Sequence, residues 1–195
     1  MTVEPRQAAS LILLRDGADG AEVLLVERNP AQRFMGGAWV FPGGSMHPGE
    51  DADHAATAMR ELREEAGIEL PPDTELVPFS RWITPDEEGA TMRFDASFFA
   101  ARAPEGAEAR PDGGECVDAR WMTPAAALEA GARGEIKVMF PTIKHLELLA
   151  ETPSVDATLA AARQRRVEPI LPKVVTRDDG EWAVLLPGEP GYDDL

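Results

Sequence analysis

The fold expected of this chain is of the α/β class, and three observations point there. Residues 8–15 (AASLILLR) and 21–27 (AEVLLVE) are short apolar runs separated by Asp16-Gly17-Ala18-Asp19-Gly20, the pattern of a hairpin. Residues 53–66 change to a helical periodicity. Strand-like runs then resume and give way to helices, an order compatible with a sheet covered by helices.

Each element has a local reason. Trp39-Val40-Phe41 reads as a short strand stopped by Pro42-Gly43-Gly44. In the helix, Ala55, Met59, Leu62 and Ala66 recur at steps of four, three and four and form one apolar stripe. Asp51 or Asp53 can cap its start and Gly67 its end. Residues 76–83 and 92–101 read as strands, 103–114 as a Pro/Gly/acid-rich loop and 116–121 as a strand. Thr123 and Pro124 open a short helix as cap and first residue. Residues 140–150 and 155–163 read as helical, and 167–175 and 182–186 as extended. Pro169 and Pro172 make the first of these an edge strand or an arm. One domain covers 1–195, with a C-terminal extension from about 139. The Pro-bearing arm suggests a homodimer.

With 35 acidic and 19 basic residues the net charge is -16. Such a surface repels phosphate backbones and argues against a nucleic-acid partner. An acidic protein acting on an anionic ligand needs local positive charge, and a divalent metal is one source. Cys116 is the single cysteine, so there is no internal disulfide and a cytoplasmic setting fits. It reads as a small, partly buried side chain at a strand end. Residues 1–6 are charged and the next apolar run is short, so neither a signal peptide nor a membrane span is expected. His47, His54 and His145 show no ligand spacing and read as surface or loop residues.

The chemistry-bearing residues lie on the helix. At about 100° per residue, Glu64 and Glu65 fall within about 60° on either side of Glu61, so three carboxylates share one arc. Like charges one turn apart destabilise a helix, and hard divalent cations are natural partners for such oxygens. A solvated acidic face neutralised by Arg60 and Arg63 is the plainer alternative.

The surrounding residues favour the metal. Gly44, Glu50 and the run Arg60-Glu61-Leu62-Arg63-Glu64-Glu65-Ala66-Gly67-Ile68 resemble the Nudix box, preceded by Phe41-Pro42-Gly43-Gly44. The chain departs in one respect. Nine residues, not seven, separate Glu50 from Arg60, which leaves the role of Glu50 open. The resemblance implies an α/β/α sandwich with a mixed sheet. It implies that Glu61, Glu64, Glu65 and the Gly43 carbonyl hold Mg²⁺ or Mn²⁺, that Arg60 orients the carboxylates, and that water attacks a nucleoside diphosphate linked to another moiety. Glu61, Glu65 or the loop residue Glu115 would take the proton.

Flanking stretches, among them residues 33–44, Arg81-Trp82-Ile83-Thr84-Pro85 and Arg93-Phe94-Asp95, resemble the branch that includes peroxisomal-type coenzyme A diphosphatases. Coenzyme A or acyl-coenzyme A is therefore an alternative substrate. Phe34, Met35, Trp39, Trp82 and Phe94 could stack on a base, line an acyl pocket, or simply pack. Arg33, Arg81 and Arg93 could bind phosphates or pair with acids. A non-hydrolytic isomerase and a binding-only Nudix module remain as other readings. The placement of Cys116 argues against the first, and the survival of all three glutamates against the second.

Overall fold

The computed structural model describes residues 3–86, 91–176 and 180–194; Met1 and Thr2, at the charged start of the chain, lie outside them. The hairpin is built from β1 (Arg6–Gly17) and β2 (Gly20–Arg28), with Gly17 opposite Gly20 across a two-residue turn. Then come β3 (Ala38–Val40), β4 (Gly43–Ser45), α1 (His54–Ala66), β5 (Val77–Ile83), β6 (Phe94–Arg102) and β7 (Cys116–Met122). They are followed by α2 (Pro124–Ala132), β8 (Lys137–Val138), α3 (Phe140–Ala150), α4 (Val155–Gln164) and β9 (Pro169–Ile170). A separate two-stranded ribbon, β10 (Lys173–Thr176) and β11 (Trp182–Leu185), ends the chain.

The first nine strands form one mixed sheet. β1 runs parallel to β6 from Arg6↔Phe94 to Leu14↔Arg102 and antiparallel to β2 and β4. β7 and β3 pair antiparallel with β2, β8 lies parallel to β3, and β5 lies between β6 and the proline-bearing edge strand β9.

The alternation of side chains sorts the core into two layers. Ile12, Leu14, Val23 and Leu25 face α2, α3 and α4, where they meet Ala127, Leu146, Leu149 and Leu159. Leu11, Leu13, Leu24 and Val26 face α1 and meet Ala58, Leu62 and Ala66. Both faces of β1 are covered, which is why it reads as an unbroken LILL rather than as alternation. Residues beyond 139 contribute Leu146, Leu149, Val155, Leu159 and Ala162 to this core.

Three expectations are corrected. Pro42-Gly43-Gly44 does not simply stop a strand, because Gly43–Ser45 is itself β4, paired through Ala8↔Ser45, Ala9↔Gly44 and Ser10↔Gly43. Two glycines carry no strand propensity, so only pairing with β1 creates this element. The two-residue β8 was too short to be seen. Of the two caps offered by the sequence, Asp53 serves, accepting a 2.8 Å hydrogen bond from the Ala56 N–H, as expected. The buried arc of α1 is also turned from the expected stripe. Thr57, Ala58, Glu61, Leu62, Glu65 and Ala66 face inward, while Ala55 and Met59 are half-buried.

The last of the three concerns His145, which lies in the core with no exposure. Its ring packs among Phe41, Phe79, Trp82 and Phe98, and Nε2 shares a 2.6 Å hydrogen bond with Ser80 Oγ. Apolar positions on α3 and the facing strands gave no sign of a polar guest. Burial pushes this imidazole down to about 3, with the Arg165 charge acting in the same direction. An unfolded histidine titrates near about 6.5. Between these values the unfolded chain holds the extra proton, so this group's contribution to stability falls as pH drops from about 6.5 toward 3. Thermal melts between about pH 7 and 4.5 should therefore show the wild type losing Tm more steeply on acidification than His145→Phe; parallel curves would contradict the assignment.

Candidate active site

Strand register gathers the functional residues at one end of the sheet. The pairs Arg6↔Phe94, Ala8↔Ser45 and Arg28↔Cys116 place the starts of β1, β6 and β7 beside the ends of β2 and β4. α1 crosses this end over β4 and β1.

At the α1–β4 contact the usual order of burial is reversed: two carboxylates are inside. Glu65 is 2% exposed, and its Oε2 accepts a 2.9 Å hydrogen bond from the Gly43 N–H. Oε1 is buried without a hydrogen-bond partner, 3.7 Å from Nη1 of Arg28. Burial raises this carboxyl to about 7; the Gly43 N–H and the Arg28 charge pull it back, and Glu61 adds to the rise. Glu61 is 7% exposed and likewise raised by burial, with Arg60 opposing. Cys116, buried at the start of β7, has its thiol pushed well above the ordinary range by burial and by the Glu65 charge.

The glycines make this contact sterically feasible. A Cβ on Gly44 would collide with the Glu61 carboxylate, and one on Gly43 with the Ser10 side chain and the Ala9 carbonyl. No other residue type lets β4 lie so close to both α1 and β1.

Arg60 organises the outer part of the site. Its Nη1 donates to Glu61 Oε1 at 2.9 Å and to Glu64 Oε2 at 2.8 Å, and Nη2 donates to the Ser45 carbonyl at 3.0 Å. Asp51 grips the same guanidinium in two places, at 2.9 and 3.0 Å, and is itself held by the His47 N–H and the Thr57 hydroxyl. The Arg60 guanidinium keeps the Asp51 carboxyl far below the usual carboxylate range.

This geometry resolves the spacing problem and corrects one expectation. Glu50 is exposed near His47, and Asp51 anchors Arg60 instead. The three helix carboxylates do not converge as drawn from the sequence either. Glu64 is half-exposed and turned to Arg60, and no three His, Cys, Asp or Glu among the described residues stand ready to cage a cation. The donor set still fits a hard divalent ion. It offers a buried carboxylate oxygen with no hydrogen-bond partner, a second raised carboxylate and a third within side-chain reach, with an arginine supplying the positive charge meanwhile.

The loop candidate Glu115 is placed nearby. Asp112 holds the loop by accepting from the backbone N–H groups of Gly114, Glu115 and Cys116. The Asn29 N–H donates to the Glu115 carbonyl, and the Glu115 charge is felt by Glu61. The expected phosphate and base contacts divide. Arg33 and Phe34 are exposed on the loop between β2 and β3. Arg81 is clamped by Asp95 at 2.7 and 2.6 Å. Arg93 is buried and committed to the Thr84 and Val3 carbonyls and to Asp86, and Trp39 packs in the core beneath Arg120; both act in packing in this structure. Sequence reasoning missed Asp51 as the Arg60 anchor and Arg28 beside Glu65. Asp51 stood next to the residue the spacing selected, and Arg28 carried no local signal.

A NUDIX domain model matches residues 4–143. The chain belongs to the Nudix family. A human acyl-coenzyme A diphosphatase, NUDT19, is 32% identical over 135 residues, 67% of this chain and 36% of that protein. This Nudix chain thus spans little more than a third of the length of that relative. Among solved structures, a NUDIX hydrolase from Alicyclobacillus acidocaldarius superposes with a TM-score of 0.71 at 27% identity, covering 81% of this chain and 96% of its own. The NUDIX domain of Shewanella oneidensis NrtR, crystallised with ADP ribose, shares the fold at a TM-score of 0.60 and 19% identity, over 76% and 88% of the two chains. The α/β/α sandwich with a mixed sheet is therefore the fold of this protein.

Two substitutions separate the roles of the adjacent acids. Asp51→Ala removes two of the hydrogen bonds that hold a largely buried guanidinium and should cost about 2 kcal/mol in urea melts. Glu50→Ala should stay within about 0.5 kcal/mol. Equal losses would mean that Arg60 has another anchor.

Proposed function

We propose that this Nudix protein is a metal-dependent hydrolase that cleaves a phosphoanhydride bond in a nucleoside diphosphate linked to a further moiety. The observation that carries the reading is the buried Glu65 carboxylate, fixed through one oxygen by the Gly43 N–H and open at the other. A buried carboxylate with one oxygen lacking a hydrogen bond is costly, and a divalent cation supplied with the substrate would offset that cost. Glu61, Glu64, Glu65 and the Gly43 carbonyl would hold Mg²⁺ or Mn²⁺, which when bound neutralises phosphate oxygens and makes a neighbouring water more acidic. Asp51 would keep Arg60 in place when Glu61 and Glu64 exchange the guanidinium for the cation. Glu115, outside the buried cluster yet within electrostatic reach of Glu61, would accept the proton of the attacking water.

The narrower reading is a coenzyme A or acyl-coenzyme A diphosphatase. The human relative bears the acyl-coenzyme A diphosphatase name, and the flanking motifs from residue 33 onward resemble that branch. The acidic composition supports a small-molecule partner rather than nucleic acid, and the lone buried Cys116 supports a cytoplasmic setting. Among the described residues no helix is long and apolar enough to cross a membrane.

The test is a panel of coenzyme A, acyl-coenzyme A, ADP-ribose, NADH, dinucleoside polyphosphates and nucleoside triphosphates, with Mg²⁺ or Mn²⁺ and products resolved by mass. Glu65→Gln preserves shape in a buried site, so it should lose several orders of magnitude in turnover with little change in Tm. Chelation should do the same to the wild type. Turnover in Glu65→Gln equal to that of the wild type would remove Glu65 from the proposed machinery.

A further inference from the structure

The carboxylate assigned as proton acceptor lies on a loop, and a base on a loop serves only where its backbone is fixed. Glu115 is exposed, and among the described residues its side chain takes part in no hydrogen bond or ion pair. Its placement therefore falls to the backbone. Inside the loop, Asp112 accepts from the N–H groups of Gly114, Glu115 and Cys116 at 3.1, 2.9 and 2.8 Å, and the Gly113 N–H donates to the Cys116 carbonyl at 2.8 Å. These bonds shape the loop without deciding where it points. The pairing of β2 with β7 stops at Arg28↔Cys116. Beyond it two further bonds orient the loop, and both come from Asn29. Its backbone N–H donates to the Glu115 carbonyl at 2.8 Å, and its side-chain Nδ2 donates to the Gly114 carbonyl at 2.8 Å.

Asn29 can anchor another loop because it is itself held. Its Oδ1 accepts from the Ala31 N–H at 3.0 Å, and its carbonyl accepts from the Gln32 N–H at 2.9 Å. Pro30 lies inside this turn, where its ring fixes φ near about −65°. Gln32, which closes the turn, also accepts a 2.6 Å hydrogen bond from Nη2 of Arg28, whose Nη1 lies 3.7 Å from Oε1 of Glu65. Two adjacent residues, Arg28 and Asn29, thus refer Glu65 and the loop of Glu115 to one stiff turn.

We propose that Asn29 is the positioning residue of the proton acceptor: its side-chain amide ties the loop of Glu115 to the turn that borders Glu65, and so fixes the Glu115 carboxylate relative to the carboxylates of α1. The inference rests on the hydrolase reading for the identity of the base, while the tie itself is measured without turnover. A reacting group about 1 Å out of place can lose about a hundredfold in rate. Both side-chain bonds of Asn29 are exposed, so water replaces them when the amide is removed and the fold survives.

The variants Asn29→Ala, Asn29→Asp and Glu115→Gln test the tie. Asn29→Ala removes both side-chain bonds. Asn29→Asp keeps the acceptor for the Ala31 N–H and loses the donor to Gly114, so it separates the turn from the tie. Glu115→Gln removes the base. On the panel substrate that the wild type cleaves fastest, Glu115→Gln should lower kcat by about a hundredfold or more. Asn29→Ala and Asn29→Asp should each lower kcat by about tenfold or more, with KM and Tm little changed. In the Glu115→Gln background Asn29→Ala should cost nothing further, because a misplaced base and an absent one are the same loss. Amide exchange at Glu115 and Cys116 should quicken about tenfold in both Asn29 variants. Wild-type kcat in Asn29→Asp, losses that multiply in the double variant, or unchanged exchange would overturn the proposal. Full turnover in Glu115→Gln beside an inactive Glu65→Gln sinks the proposal and leaves the hydrolase reading standing. No turnover of any panel member sinks the hydrolase reading, and the exchange rates alone then decide whether Asn29 holds the loop.

Discussion

The structure turns on the contact between α1 and the three-residue strand β4, where two carboxylates are packed beneath a backbone that has no side chains. Burying Glu61 and Glu65 opposes folding, because each loses hydration and the Glu61 charge raises the proton affinity of Glu65 further. What offsets that cost is local and directional. The Gly43 N–H points at Glu65, Arg28 lies to one side, and Arg60 lies to the other on Glu61. The contact exists only because Gly44 lacks the Cβ that would meet the Glu61 carboxylate and Gly43 lacks the one that would push β4 off Ser10 and Ala9 of β1.

The sheet turns this contact into a site. Because β1 is parallel to β6 and antiparallel to β2 and β4, the ends of five strands converge beside α1. The apolar layers hold α1 rigidly through Ala58, Leu62 and Ala66, so the acids on its neighbouring edge are placed by the core rather than by their own interactions. Arg60 then acts as a resident cation. It satisfies Glu61 and Glu64, yet its main anchor is Asp51, so those carboxylates can turn elsewhere without leaving the guanidinium unpaired.

Much of this was legible in the sequence. Helical periodicity placed α1 within a residue of its observed start, the apolar runs placed β1, β2, β5, β6 and β7, and Thr123-Pro124 marked the start of α2. What escaped has physical reasons. β4 has no intrinsic strand propensity and exists by pairing alone. The buried arc of α1 includes Glu61 and Glu65, so an apolar count pointed to Ala55 and Met59 and missed Ala58. His145 is surrounded by four rings drawn from three separate segments, a cage that no local pattern announces. In the site, the acids were legible by spacing. Asp51 was hidden because the pattern aligned its neighbour Glu50 and left that role open, and the commitment of Arg93 and Trp39 to packing depends on tertiary contacts alone.

Under the proposed reading, Glu65, buried and open at one oxygen, would complete a divalent-cation site once Glu61 and Glu64 swing from Arg60. Titration of Mn²⁺ followed by electron paramagnetic resonance measures this directly, without substrate or turnover. The account expects saturable Mn²⁺ binding to the wild type and affinity at least about tenfold weaker in Glu65→Gln. Mn²⁺ binding of equal strength in both proteins, or none in the wild type, would contradict it.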